Sequence, residues 1–202
     1  MLVIGLVGGV ASGKSLVARQ LAELGAGILD GDGAGHRVLQ TSEVEAAARR
    51  RWGPSIFGPD GRIVRSALAR IVFGKTPEAT EELKHLEHLT HPRIGELLRV
   101  QAAELAAAGT PAAVLDAPVL LKAGWDTFCD RILFVDAPRE VRLARARQRG
   151  WSEEEFAARE AAQESLTEKH AHADATIDNS GSAADTAAQV NHFWKSLGLK
   201  TP

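Results

Sequence analysis

A single cysteine in 202 residues, Cys129, leaves the chain without an internal disulfide and fits a reducing compartment, so the cytoplasm is the expected location. No apolar run approaches the roughly 20 residues that a helix needs to cross a bilayer. The apolar start, Met1 to Val7, has no basic segment before it and runs straight into glycines, so it reads as a buried strand and not as a signal peptide. An excess of either charge is missing as well. The 24 lysines and arginines stand against 26 aspartates and glutamates, a formal charge of −2 that gives no general attraction to nucleic acid or to an anionic membrane. Any basic site has to be local. No internal repeat is visible, and the alanine enrichment is ordinary helix filling. What is present is enough apolar material, 45% of the residues, for one substantial core and a small satellite lobe.

Leu2 to Val7 is a short β-branched and aliphatic run, and the spacing of Leu16, Ala18, Leu21, Ala22 and Leu24 predicts a helix over Ser15 to Leu24. Gly25 and Gly27 close it, and Ile28 and Leu29 form a second apolar run ending at Asp30. Three further strand candidates, Ala112 to Leu115, Arg131 to Val135 and Ala175 to Ile177, end at Asp116, Asp136 and Asp178. Apolar strands alternating with helices predict an α/β fold, a parallel sheet covered on both faces with ligand groups at the carboxyl ends of its strands. From Gly33 to Ala108 the pattern turns to successive helices, with breaks at Gly53–Arg62, Gly74–Pro77 and His91–Pro92, and predicts an inserted helical lobe. A second helical excursion runs from Pro138 to about Leu166. Pro138 suits a first helical position there, and Ser152 with Glu155 makes a capping box after the break at Gly150.

The strongest signal is Gly8-Gly9-Val10-Ala11-Ser12-Gly13-Lys14-Ser15, which satisfies G-x-x-x-x-G-K-[ST] between a predicted strand and a predicted helix. Glycines let the backbone curl so that the amides of Gly9, Val10, Ala11, Ser12 and Gly13 face phosphates. Lys14 neutralises the outer phosphates, and Ser15 offers a hydroxyl to Mg²⁺. Asp30 and Asp32 follow the second strand. Spacing alone leaves three readings: general base on an acceptor hydroxyl, ligand to Mg²⁺ or its waters, or a solvated Asp-Gly-Asp-Gly turn. Asp116 is open between a magnesium-holding aspartate and a strand cap. Arg139, Arg142, Arg145, Arg147 and Arg149 crowd one short helix, with Arg142, Arg145 and Arg149 on one face and Arg159 on the next helix, and suit a cluster that stabilises transferred phosphoryl charge. The absence of interleaved aromatics weakens a nucleic-acid reading of these arginines. His85, His88 and His91, spaced by threes on a helix ending at Pro92, lack a second ligand pair, which favours a helix-end or pocket-facing role over zinc ligation. Cys129, with no base nearby, and the scattered tryptophans read as packing residues.

Taken in order, these blocks resemble the dephospho-coenzyme A kinase family. The resemblance is carried by Ile4 to Ser15, Leu29-Asp30-Gly31-Asp32 where the family usually has Asp-Ala-Asp, Asp60 to Arg65, His91-Pro92-Arg93-Ile94, and Asp116 to Leu121. It continues through Gly124-Trp125-Asp126, Cys129-Asp130, Val135 to Pro138, Arg145, Arg149, Arg159, Gln163, Ala173-Asp174 and Ile177 to Gly181. It implies a P-loop kinase three-layer sandwich with a five-stranded parallel sheet in the order 2-3-1-4-5. The implied core covers about 1–32, 110–137 and 173–202, with a helical CoA-binding insertion at about 33–109 and a lid at about 138–172. It also implies phosphorylation of the 3′-hydroxyl of dephospho-CoA by ATP with Mg²⁺. In that reading Asp32 is the general base, Asp30 a neighbour of the metal that Ser15 holds, Lys14 and Arg145 bind phosphates, and Asn179 lies near adenine. Arg65, His91, Pro118 and Arg159 lie on the acceptor side. The expected partner is the small-molecule substrate, with no nucleic acid or membrane, and the expected state is a monomer or weak homo-oligomer. Two positions depart from the family: Lys122 stands where a glutamate is usual, and Ala11 replaces a frequent glycine.

Overall fold

The computed structural model describes residues 1–74 and 76–201; Lys75, within the expected break at Gly74–Pro77, and Pro202, at the end of the expected core, lie outside the described residues. Five strands, β1 (Leu2–Gly8), β2 (Gly27–Asp30), β3 (Ala112–Asp116), β4 (Arg131–Asp136) and β5 (Ala175–Asp178), form one parallel sheet in the order β2-β3-β1-β4-β5. A strand inside such a sheet has helices on both faces, which is why β1, β3 and β4 are apolar almost without interruption and buried along their length. The register sets Asp30 against Asp116, Asp116 against Leu6, and Asp136 against Asp178. The strand-end carboxylates therefore line one edge of the sheet, and the loop after β1 leaves from its middle.

The chain divides into two compact units, one built from Met1–Asp30 and the chain from Gln101 onward, the other from Gly31–Val100. In the first, α1 (Lys14–Glu23) and α9 (Ala183–Ser196) pack on the sheet through Val17, Leu21, Val190 and the fully buried Trp194, against Ile4, Leu6, Val114 and Leu133. Three further helices, α6 (Arg139–Gln148), α7 (Glu153–Ala161) and α8 (Leu166–Ala171), lie between β4 and β5. The second unit is helical. Its helices α2 (Gly31–Leu39), α3 (Ser42–Trp52), α4 (Arg65–Val72) and the greater part of α5 (Pro77–Ala107) enclose Ala48, Ile56, Leu68 and Val72, with Trp52, Leu83 and Leu86 packed around them. Glu82 of α5 accepts two hydrogen bonds from Arg51, at 2.9 and 2.7 Å, and one from the Trp52 indole at 2.8 Å.

Several elements differ from the reading above. The break at His91–Pro92 is absent: Pro92 lies inside α5, so the three histidines are not at a helix end. A proline deletes one N–H from the ladder, and the same turn gains two side-chain bonds, from Thr90 Oγ1 to Leu86 O at 2.8 Å and from Arg93 to Leu89 O at 2.7 Å. Buried Ile94, Gly95 and Leu98 continue the packed face beyond it. The Asp-Gly-Asp-Gly stretch is not a turn, because α2 starts at Gly31 and Asp32 occupies its first turn, where the helix dipole favours an anion. Pro138 caps α6 instead of starting it, and Arg149 follows the helix as its C-cap. The helical excursion extends past Leu166 into α8, opened by a second capping box, Ser165 with Glu168.

Two aspartates pin the sheet. Asp130, just before β4, accepts the Val3 N–H at 2.7 Å and donates its own to Val3 O at 2.8 Å; Asp174, just before β5, does the same for Ile132 at 2.7 and 2.8 Å. Asp174→Ala should therefore lower stability by about 1–2 kcal/mol and Tm by about 3–6 °C, with Asp174→Asn losing roughly half as much, as read from thermal unfolding followed by circular dichroism.

Candidate functional site

In the loop between β1 and α1 the Ser12 N–H turns back to Gly9 O at 3.1 Å, and the carbonyls of Gly8, Val10 and Ser12 meet side chains of the protein. Gly13 takes φ +99°, a conformation open to glycine, and is the N-cap of α1. Ala11 takes φ +58° and is the one non-glycine residue with positive φ among those described. No acidic residue stands in the first turn of α1 and no side chain caps it, so the positive end of the helix dipole is left for an external anion. The Ser12 hydroxyl is buried and has no hydrogen-bond partner.

Four side chains meet the loop's carbonyls. Arg142, 3% exposed, donates to Ala137 O at 3.1 Å and Val10 O at 3.4 Å, and pairs with Glu160 of α7 at 2.7 Å. Arg145 donates to Ser12 O at 3.1 Å and Asn179 O at 2.6 Å. Asn179 donates to Ser12 O at 2.7 Å, accepts from Thr186 Oγ1 at 2.8 Å, and is itself buried. Lys169 of α8 reaches Gly8 O at 3.4 Å and Gln163 Oε1 at 2.7 Å. The loop's apolar side is covered as well. Val10 and Ala11 share a cluster with Leu143, Ala146 and the fully buried Phe156, so α6 and α7 are seated on the loop. Burial alone would raise the Glu160 carboxyl, but hydrogen bonds from Arg142 and Arg139 and their charges hold it below the usual carboxylate range.

The structure brings together Gly9, Val10, Ala11, Ser12, Gly13, Lys14, Ser15, Arg145 and Asn179. Asp30 ends β2, exposed, and Asp116 ends β3, half-buried between β2 and β1. At about 4.8 Å between strands, Asp30 stands about 10 Å from β1. Pro118 is exposed just beyond β3, Lys122 is exposed further along the same turn, and Arg159 lies over the Trp151 ring at 4.2 Å. In the second unit, Asp32 is exposed in α2, Arg65 is exposed at the start of α4, and His91 is half-buried in α5. His85 meets the Trp52 ring edge-on and His88 Nδ1 sits 2.7 Å from Lys84 O. Among the described residues no group of three or more His, Cys, Asp or Glu is placed to hold a metal ion. Cys129 is inert: burial, with Asp126 and Asp130 nearby, pushes its thiol up to about 12.

Sequence reasoning passed over Arg142 and Lys169. It placed Arg142 in a cluster without separating the buried member from the solvated ones. Lys169 carried no motif of its own, and only the Ser165–Glu168 box, which starts its helix, was there to be found.

Residues 2–185 match the family model for dephospho-CoA kinase. The dephospho-CoA kinase of Geobacter metallireducens is 43% identical over 204 aligned positions, covering 100% of this chain and 100% of that one. Among solved structures, TT1252 from Thermus thermophilus is similar with a TM-score of 0.80 at 34% identity, over 97% of each chain. A dephospho-CoA kinase from Campylobacter jejuni has the same fold, with a TM-score of 0.64 at 24% identity over 96% of each chain.

Removing the guanidinium of Arg142 leaves Glu160 with Arg139 as its remaining partner and strands two carbonyls, so Arg142→Ala should cost about 3 kcal/mol in denaturant unfolding, and a double-mutant cycle with Glu160→Gln should show coupling above about 1 kcal/mol. Because the Glu160 carboxyl is held low, the pair's contribution is complete above the ordinary carboxylate range and is lost as pH falls through the lowered value. The stability gap between the wild type and Arg142→Ala should accordingly narrow in acid, to what the two carbonyl bonds contribute.

Proposed function

The chain belongs to the dephospho-CoA kinase family and is thus a phosphotransferase acting on dephospho-CoA, and we propose that its residues transfer the γ-phosphoryl group of ATP to the ribose 3′-hydroxyl in the roles that follow. The observation that supports this most is the β1–α1 loop, with its Gly8, Val10 and Ser12 carbonyls engaged by side chains of the protein, an uncompensated helix N-terminus behind it, and the buried Ser12 hydroxyl lacking a protein partner. The last two are groups that phosphate oxygens complete. Lys14 and the amides of Gly9 to Ser15 hold the triphosphate, and Arg145 completes the cationic side of the site. Asn179, whose side chain is committed to Ser12 and Thr186, acts on the nucleotide by fixing the loop.

Magnesium fits the donor set, since the exposed Ser15 hydroxyl and the Asp30 carboxylate are hard oxygen ligands, and this ion commonly takes only one or two protein ligands beside phosphates and water. When bound it neutralises charge on the phosphate oxygens. The residues do the rest. Asp32 accepts the proton of the 3′-hydroxyl, the freed oxygen attacks the γ-phosphorus in line, and the bond to ADP breaks, giving CoA without a phosphorylated protein intermediate. Arg65, His91, Pro118 and Arg159 serve the acceptor, with the helical insertion binding the CoA moiety and α6 to α8 forming the lid. Lys122 is a tolerated exchange on an exposed turn. The reaction runs in the cytoplasm, with the small-molecule substrate as partner.

ADP release with Mg-ATP, compared across dephospho-CoA, adenosine, AMP and no acceptor, should rise with dephospho-CoA alone and yield CoA; stimulation by a different acceptor would overturn the substrate. Asp32→Asn should lower kcat by at least about 100-fold while ATP KM changes less than about threefold. Near-normal turnover in this variant would remove Asp32 as the base.

A further inference from the structure

Lys169 is buried in α8, beside the loop, and has no task in the transfer as described. We infer that Lys169 is a second phosphate-binding cation of the nucleotide site, set by α8 opposite Lys14 across a small cavity; the inference rests on reading the β1–α1 loop as the ATP site. That cavity has a volume of about 10 Å³, room for roughly one water, and Gly8, Lys14, Pro118, Leu121, Glu164 and Lys169 are among its walls.

The geometry argues for an absent anion. Lys169 is 3% exposed, and its hydrogen-bond partners, Gln163 Oε1 at 2.7 Å and Gly8 O at 3.4 Å, are both neutral. An ammonium has three donors, so one remains beyond these two. The charged groups around it are Lys14 of α1 and Arg142 of α6, which repel it, and Glu164, which attracts it without a salt bridge. Burial first, and then the charge of Lys14, push its amine down to about 8. A buried cation whose hydrogen-bond partners are neutral is costly without a counter-charge, and a polyphosphate laid along the loop supplies one. Gln163 and the Ser165–Glu168 box hold the amine in place before the nucleotide arrives.

A purely structural lysine, there to satisfy Gly8 O, would show no proton linkage to nucleotide binding. A phosphate-binding one must, because the incoming anion raises its pKa. Titration of Mg-ADP calorimetrically at pH 8.5 in two buffers of different ionisation enthalpy should show uptake of about 0.7 proton, falling to near zero at pH 6.5 where the amine is already charged. Lys169→Met should bind Mg-ADP about tenfold more weakly at pH 7 and take up no proton at pH 8.5. Lys169→Arg, charged at every pH, should keep affinity within about threefold and also lose the uptake. Unchanged affinity in Lys169→Met, or uptake that persists in either variant, overturns the inference; should Lys169→Met fail to fold, Lys169→Arg decides alone by the uptake. No acceptor takes part, so a wrong acceptor leaves the result standing, whereas a wild type that binds no ADP sinks the reading of the loop itself.

Discussion

A phosphate cradle made of backbone amides can exist only if the carbonyls of the same peptides are satisfied on the other side. That constraint organises the first unit. Each peptide in the loop has one donor and one acceptor, and a turn that aims several donors at a ligand turns acceptors into the protein, where an unpaired one is costly. Arg142, Arg145, Asn179 and Lys169 are the answer, and they come from α6, α8 and the segment after β5. The loop's shape is therefore held by chain elements more than 130 residues away from it.

This dependence explains why charge appears where the core would otherwise be apolar. Arg142 is almost fully buried and ion-paired to Glu160, an arrangement that stabilises little by itself and destabilises strongly when broken. Its placement makes sense as a bracket that ties α6 and α7 to the loop. Phe156 and Leu143 reinforce the same junction by burying Val10 and Ala11. Helices that later elements carry are thus fitted to the loop by both polar and apolar contacts.

How much of this was legible in the sequence follows from how local each signal is. The loop, the five strands and the capping box at Ser152 were readable, because glycine spacing, aliphatic runs and Ser-x-x-Glu act over a few residues. The strand order came from the family resemblance, since pairing β1 with both β3 and β4 depends on contacts that no short window contains. Pro92 misled because a proline is a strong local breaker, while the side-chain bonds from Thr90 and Arg93 and the packing of Ile94 and Leu98 belong to the folded helix. The turn reading that spacing left open for Asp32 arose for a similar reason: Asp and Gly favour turns, and its place in α2 is set by the helix that follows. The arginine run showed that a cationic cluster was present, but period 3.6 assigns Arg142 and Arg145 the same face, and only the loop's position tells the buried bracket from its neighbour.

Ala11 shows what such a packed loop permits. Its backbone sits in the left-handed region, which costs an alanine about 1 kcal/mol relative to glycine, and its methyl lies in the cluster with Phe156, where a buried carbon contributes about 0.8 kcal/mol. The two terms nearly cancel. Glycine relieves the backbone and forfeits the contact, and alanine does the reverse. The loop is therefore indifferent to the exchange as far as its fold is concerned, with a backbone cost and a packing gain that trade one for the other at a single methyl group.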